Sequence, residues 1–112
     1  MEISFRTRKL EQTCSKKAVM ERRLGRECAA KLQQRMMELQ AALSLADISH
    51  LPPARLHALT GDKKGLFSVD LRHPYRLLFL VADSPVPLLE DGGIDKTRVF
   101  SVEIAEICDT HG

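Results

Sequence analysis

The adjacent prolines Pro52 and Pro53 divide this chain more sharply than any other feature of its sequence. Proline fixes φ, lacks a backbone donor and biases the preceding residue toward extended backbone, so no helix runs through the pair. Before the prolines the apolar residues recur at helical spacing. Ala29, Leu32, Met36, Leu39 and Leu43 fall at steps of three and four and predict one stripe of an amphipathic helix that starts at Arg26. A more charged stretch carries Leu10, Cys14, Val19, Met20 and Leu24 in a looser version of the same pattern, ended or bent at Gly25. The two predict an αα-hairpin whose outer faces carry Lys16, Lys17, Arg22, Arg23, Lys31 and Arg35.

After the prolines the period changes to two. Strands are predicted over residues 55–59, 66–72, 75–81 and 98–108, with a glycine-bounded turn at 61–65 and a turn through His73-Pro74. In the second of these, Phe67, Val69 and Leu71 face one way and Ser68, Asp70 and Arg72 the other, so one side packs and the other is presented. Residues 2–6 alternate in the same way and predict one more short strand. Residues 83–97, with two prolines and Gly92-Gly93, read as a long exposed loop. The simplest arrangement is α+β, a curved antiparallel sheet with the helical hairpin on one face, in a single domain over 1–112.

A chain of 112 residues buries roughly two-thirds of its unfolded surface, enough to fold without staples. Cys14, Cys28 and Cys108 cannot all pair and lack C-x-x-C spacing, so they are expected as reduced core residues. The longest apolar run, residues 77–82, has strand length, far short of the ~20 residues that span a bilayer. The charged start does not look like a signal peptide, so a cytoplasmic protein without membrane partners is expected. The net charge of +2 is unevenly distributed. Residues 1–40 hold ten Lys/Arg against five Asp/Glu, and residues 83–112 hold two against seven. A basic N-terminal part suits a polyanion such as nucleic acid, or simply solvates surface helices.

The chain has no P-loop, dinucleotide fingerprint, H-E-x-x-H or G-x-S-x-G. Its Cys and His residues are scattered rather than spaced as zinc ligands, so neither metal nor cofactor is expected. The residues with chemistry to offer are His57 in the first strand after the prolines, Lys63 and Lys64 in the glycine-bounded turn, Arg72 and Arg76, and His111 near the end. Imidazole takes or gives a proton near neutral pH, while lysine and arginine neutralise phosphate. That set suits metal-independent RNA cleavage, provided the strand of His57 and the end of the last strand lie close together. In their structural readings, His57 is an ordinary strand histidine and the lysines a solvated pair. Arg72 and Arg76 are then cross-strand partners of Asp70, His50 and His73 loop residues, and Met36 and Met37 helix packing.

Leu56-His57, Gly61-Asp62, Lys63-Lys64, Gly65, Phe67, Tyr75-Arg76 and the ending Asp109-Thr110-His111 occur in an order that resembles the HigB-type killer toxins of the RelE/ParE superfamily. The strand around Ser4-Phe5-Arg6 and the basic helix after it extend the resemblance over nearly the whole chain. It implies the toxin of a type II toxin-antitoxin system, a ribosome-dependent mRNA endoribonuclease leaving 2′,3′-cyclic phosphate and 5′-hydroxyl ends. It also implies His57 and His111 as proton-transfer groups, Asp109 as an orienting or RNA-contacting residue, and Lys63, Lys64, Arg72 and Arg76 as phosphate ligands. The implied partners are mRNA on the ribosome, ribosomal RNA and a HigA-like helix-turn-helix antitoxin, with operator DNA reached only through that antitoxin. The chain departs from the pattern at Thr60, where a lysine is frequent, and at Thr110, where an aromatic ring usually stands. Two rival readings are a ParE-like gyrase-binding toxin and a non-catalytic RNA- or ribosome-binding module of the same fold.

Overall fold

The computed structural model describes residues 1–109. Strand β1 (Glu2–Phe5) is followed by helices α1 (Arg8–Ser15), α2 (Lys17–Leu24) and α3 (Arg26–Ala41). Then come β2 (His57–Ala58), β3 (Phe67–Asp70), β4 (Tyr75–Val81) and β5 (Ser101–Asp109). The strands form one sheet in the order β1-β5-β4-β3-β2. Every pairing is antiparallel except β1 with β5, which run parallel from Glu2 opposite Ser101.

The expected α+β layering is present, with corrections at the element ends. The first helical segment is two helices, because Lys16 between them is extended and ends the first ladder. Thr7 caps α1, its hydroxyl accepting from the Leu10 N–H at 3.1 Å. On α3 the expected stripe is buried from Ala29 to Leu39, but Leu43 is 84% exposed. The helix ends at Ala41, Ala42 is extended, and the Leu43 N–H turns to the Asp47 carboxylate at 2.8 Å.

Arg35 is not on an outer face. It lies between Leu32 and Leu39 on the inner stripe, 2% exposed. Its guanidinium donates to the Asp70 carbonyl of β3 at 2.8 Å and to both carboxylate oxygens of Glu38 at 3.1 and 3.2 Å, so the helix is tied to the sheet by a buried cation.

The core lies between α3 and the face of the sheet carrying Phe67, Val69, Leu77, Phe79, Val102 and Ile104. The rings of Phe67 and Phe79 stack at 6.0 Å between centroids. Cys14 and Cys28 are core residues, and burial pushes the Cys14 thiol up to about 11. Cys108 is only partly covered, at the open end of β5.

Strand β2 is shorter than its sequence pattern, because Arg55 has φ +52 and the Leu56 N–H bonds back to the Ser49 carbonyl at 2.9 Å rather than to the sheet. The 83–97 segment is largely exposed, as expected, yet it folds back on itself through a Leu88–Ile94 bridge. A 3-10 turn, Lys96–Arg98, delays the start of β5.

Asp83 organises the start of β5. Its carboxylate accepts from the N–H groups of Phe100 and Ser101 at 3.0 to 3.1 Å and from the Ser101 hydroxyl at 3.2 Å. Partial burial raises its pKa, but these hydrogen bonds outweigh it and hold the group below the usual carboxylate range. Asp83→Ala should therefore cost about 1–3 kcal/mol at neutral pH, read from urea unfolding. Because the folded-state pKa is lowered, this difference persists at higher pH and shrinks as acidification carries the carboxylate through that pKa. An equal cost well below the carboxylate range would contradict the account.

Candidate functional site

The side of the sheet away from α3 holds the residues with chemistry to offer, and strand register determines which meet. His57 on β2 pairs with Ser68 on β3, Ser68 with Leu78 on β4, and Leu78 with Glu106 on β5, so the four form one row across the face. The adjacent row is Asp70, Arg76 and Cys108. Glu106 belongs to the first row only because of a β-bulge. Ile104 pairs with Phe79 and Glu106 with Leu78, leaving Ala105 as an extra residue. Strict alternation from Ile104 would otherwise send Glu106 into the core.

Ser68 and Leu78 sit mid-row yet are 0% and 1% exposed. The turn Gly61–Lys63 between β2 and β3 sends one side chain, that of Lys63, to this face. The Lys63 ammonium donates to the Glu106 carboxylate at 3.0 Å, bringing together residues 43 apart in sequence. Gly61 (φ +69) and Gly65 (φ +97) bracket the turn in backbone that other residues rarely adopt, which explains the glycine-bounded motif. The hydrogen bond and charge of Glu106 raise the Lys63 pKa.

Beside this row a carboxylate holds two guanidiniums. Arg55 donates to Asp70 through Nε at 2.7 Å and through a terminal nitrogen at 3.2 Å, and Arg76 Nε faces the same carboxylate at 3.9 Å. Asp70 raises the Arg55 pKa, first through the hydrogen bond and then through its charge. These groups border a cavity of about 90 Å³ that also meets Tyr75. A positive φ at a non-glycine residue costs on the order of 1 kcal/mol and persists only where the surroundings enforce it. Here the Arg55 N–H donates to the Leu51 carbonyl at 3.0 Å and its side chain is held by Asp70.

His57 is half-buried at the edge of the row. Its Nδ1 lies 3.3 Å from the Arg55 carbonyl, and the Ser68 hydroxyl lies 3.3 and 3.4 Å from the two ring nitrogens. With the proton on Nδ1, the ring donates to the Arg55 carbonyl and leaves Nε2 as an acceptor. The contacts are long, so they orient the ring more than they anchor it.

Of the residues singled out from sequence, the fold brings His57, Lys63 and Arg76 to one face, with Lys64 exposed next to Lys63. It does not bring Arg72 there. Arg72 lies beyond the end of β3 and pairs with Glu27 in the first turn of α3. Asp109 is the last residue of β5, opposite Tyr75, and alternation gives it the side of Ile107 rather than that of Glu106. His111 lies outside the described residues. Sequence reasoning missed Arg55, Ser68 and Glu106 as members of this site. Arg55 stands two residues before His57, a strand spacing that gave a hint of it, whereas the bulge hid Glu106.

Electrostatically the face is an array of paired charges. Lys63 is held by Glu106, and Arg55 and Arg76 by Asp70, so an anion entering here would exchange a carboxylate for itself. The imidazole acceptor, three cations and a covered floor can together hold a phosphodiester and accept a proton beside it. Among the described residues, no helix is long and apolar enough to cross a membrane.

No protein-family model matches the sequence, and no curated protein does. Among solved structures, a YoeB/ParE toxin from Agrobacterium tumefaciens superposes with a TM-score of 0.58 over 97% of this chain and 98% of its own, at 12% identity. The chain therefore has the fold of that toxin, three helices against one face of a five-stranded, mostly antiparallel sheet.

Proposed function

We propose that this chain is a single toxin domain of a type II toxin-antitoxin pair, and that it cleaves mRNA on the ribosome. The observation that carries the reading is the Lys63 ammonium bonded to Glu106 in the row that contains His57, with Arg76 in the next row. One imidazole of the pair His57 and His111 takes the proton of a ribose 2′-hydroxyl, and the 2′-oxygen attacks phosphorus. The bond from phosphorus to the 5′-oxygen breaks, and the other imidazole protonates the leaving oxygen. The products are a 2′,3′-cyclic phosphate and a 5′-hydroxyl. Lys63, Lys64 and Arg76 compensate the charge that builds on the phosphoryl oxygens, Lys63 by leaving Glu106 for the substrate. Asp109 orients a catalytic group or contacts the RNA, and the basic helices bind ribosomal RNA. The partner that holds the toxin silent is a helix-turn-helix antitoxin of the HigA kind, which also reaches operator DNA.

The test is primer extension on an mRNA translated in the presence of the purified chain. Codon-phased cuts with 5′-hydroxyl ends are expected, and an intact message on toxin-bound ribosomes would overturn the reading. A second reading, a toxin that binds gyrase without cutting RNA, draws on the carboxylates that already occupy the cations of the face. It predicts DNA breaks and an SOS response with mRNA intact.

A further inference from the structure

We propose that Arg55 and Arg76, set side by side by Asp70, form a subsite for one backbone phosphodiester of single-stranded RNA adjacent to His57. The proposal rests on the RNA-cleaving reading above. It adds Arg55, which that reading does not use, and gives Asp70 a positioning role.

Three observations support it. The first is the backbone. Arg55 has φ +52, a conformation that glycine or asparagine adopts more readily, and the Leu51 and Ser49 carbonyls hold the chain there through the N–H groups of Arg55 and Leu56. That conformation directs the side chain to the sheet face, where it meets Asp70.

The second is the count of donors. A guanidinium has five N–H donors, and Asp70 engages only the Nε edge and one terminal nitrogen of Arg55. Arg76 faces Asp70 at 3.9 Å, outside hydrogen-bond range. Two delocalised cations thus share one carboxylate, leaving a net positive charge and unused donors in the fork geometry that suits phosphate oxygens.

The third is position. The Asp70–Arg76 row lies two residues along the strands from the Ser68 row, about 7 Å. The Arg55 carbonyl is itself 3.3 Å from His57 Nδ1. A phosphate held here would fix the register of the strand relative to the imidazole, and the pocket beside Tyr75 offers room for it.

A purely structural role for Arg55, pinning residues 51–57 to β3, predicts loss of stability and nothing else. Three variants separate the two roles. Arg55→Ala removes the guanidinium, Arg55→Gly removes it while relieving the positive φ so that the fold is kept, and Arg55→Lys keeps the charge without the fork. The probe is a short fluorescein-labelled single-stranded RNA titrated by anisotropy across a range of salt concentrations. Loss of one phosphate contact should flatten the slope of log affinity against log salt by about 0.7 in Arg55→Gly and Arg55→Ala. Affinity at low salt should fall roughly tenfold, with Arg55→Lys restoring the slope but only part of the affinity.

A folded Arg55→Gly protein with the wild-type slope and affinity would overturn the subsite while the nuclease reading stands. A wild-type protein that neither binds this RNA in a salt-dependent way nor cuts translated mRNA would overturn both.

Discussion

Under the proposed function, replacing His57 with alanine should lower the rate of mRNA cleavage by roughly 10²- to 10⁴-fold, the usual contribution of a positioned proton-transfer group, with little effect on folding. The asymmetry follows from its environment. The ring is half-buried at a sheet edge, and its contacts to Ser68 and the Arg55 carbonyl are 3.3 to 3.4 Å long, so its loss should cost under about 1 kcal/mol of stability. Single-turnover primer extension beside a thermal melt reads both quantities. Wild-type cleavage by a folded His57→Ala protein would remove His57 from the reaction. A melt lowered by ten degrees would show the histidine to be structural. His111→Ala should likewise abolish growth arrest in a protein that still folds.

Arg35→Ala should produce the largest loss of stability, about 3–5 kcal/mol, a substantial part of the 5–15 kcal/mol typical of a folded domain. Removing the guanidinium strands the Asp70 carbonyl between helix and sheet and leaves Glu38 without its buried partner, while opening a void between Leu32 and Leu39. Arg6→Ala offers the comparison. Its pair with Glu103 is exposed, with 3.4 Å between the groups, and its loss should cost less than about 1 kcal/mol. Guanidinium unfolding of the two variants checks the contrast, and equal midpoints would contradict the structural reading of Arg35. The same substitution loosens Asp70, so RNA binding through Arg55 and Arg76 should weaken with it.

The layering was legible from sequence because it depends on periodicity. The stripe from Ala29 to Leu39 and the alternation Phe67-Val69-Leu71 each place a hydrophobic face, and two such faces have one economical way to meet. The 75–81 strand matches β4 residue for residue. What escaped was whatever depends on a single backbone event. Lys16 breaks a helix with no glycine or proline to announce it, and Arg55 turns to positive φ in what reads as a strand. One extra residue in β5 reverses the faces of Glu106 and Cys108. The charge of Arg35 suggests a place among the surface cations, whereas its position in the heptad-like stripe puts it inside.

The site was legible in part for the same reason. His57, Lys63 and Arg76 share a face because a turn and two registers bring them there, and the turn carries its own glycine signature. Arg72 separates from them because β3 ends at Asp70, so alternation no longer governs where residue 72 points. Partner carboxylates cannot be read from spacing, since Glu106 and Lys63 lie 43 residues apart.

The parallel pairing of β1 with β5 has a temporal consequence during synthesis. Strand β1 has no ladder until residues 101–104 have been made about a hundred positions later, and β4 lacks its longest neighbour until the same moment. A nascent chain would therefore hold helices and a β3–β4 hairpin with one flank of the sheet vacant. A sheet assembled in this order closes only when β5, the strand between β1 and β4, has joined it.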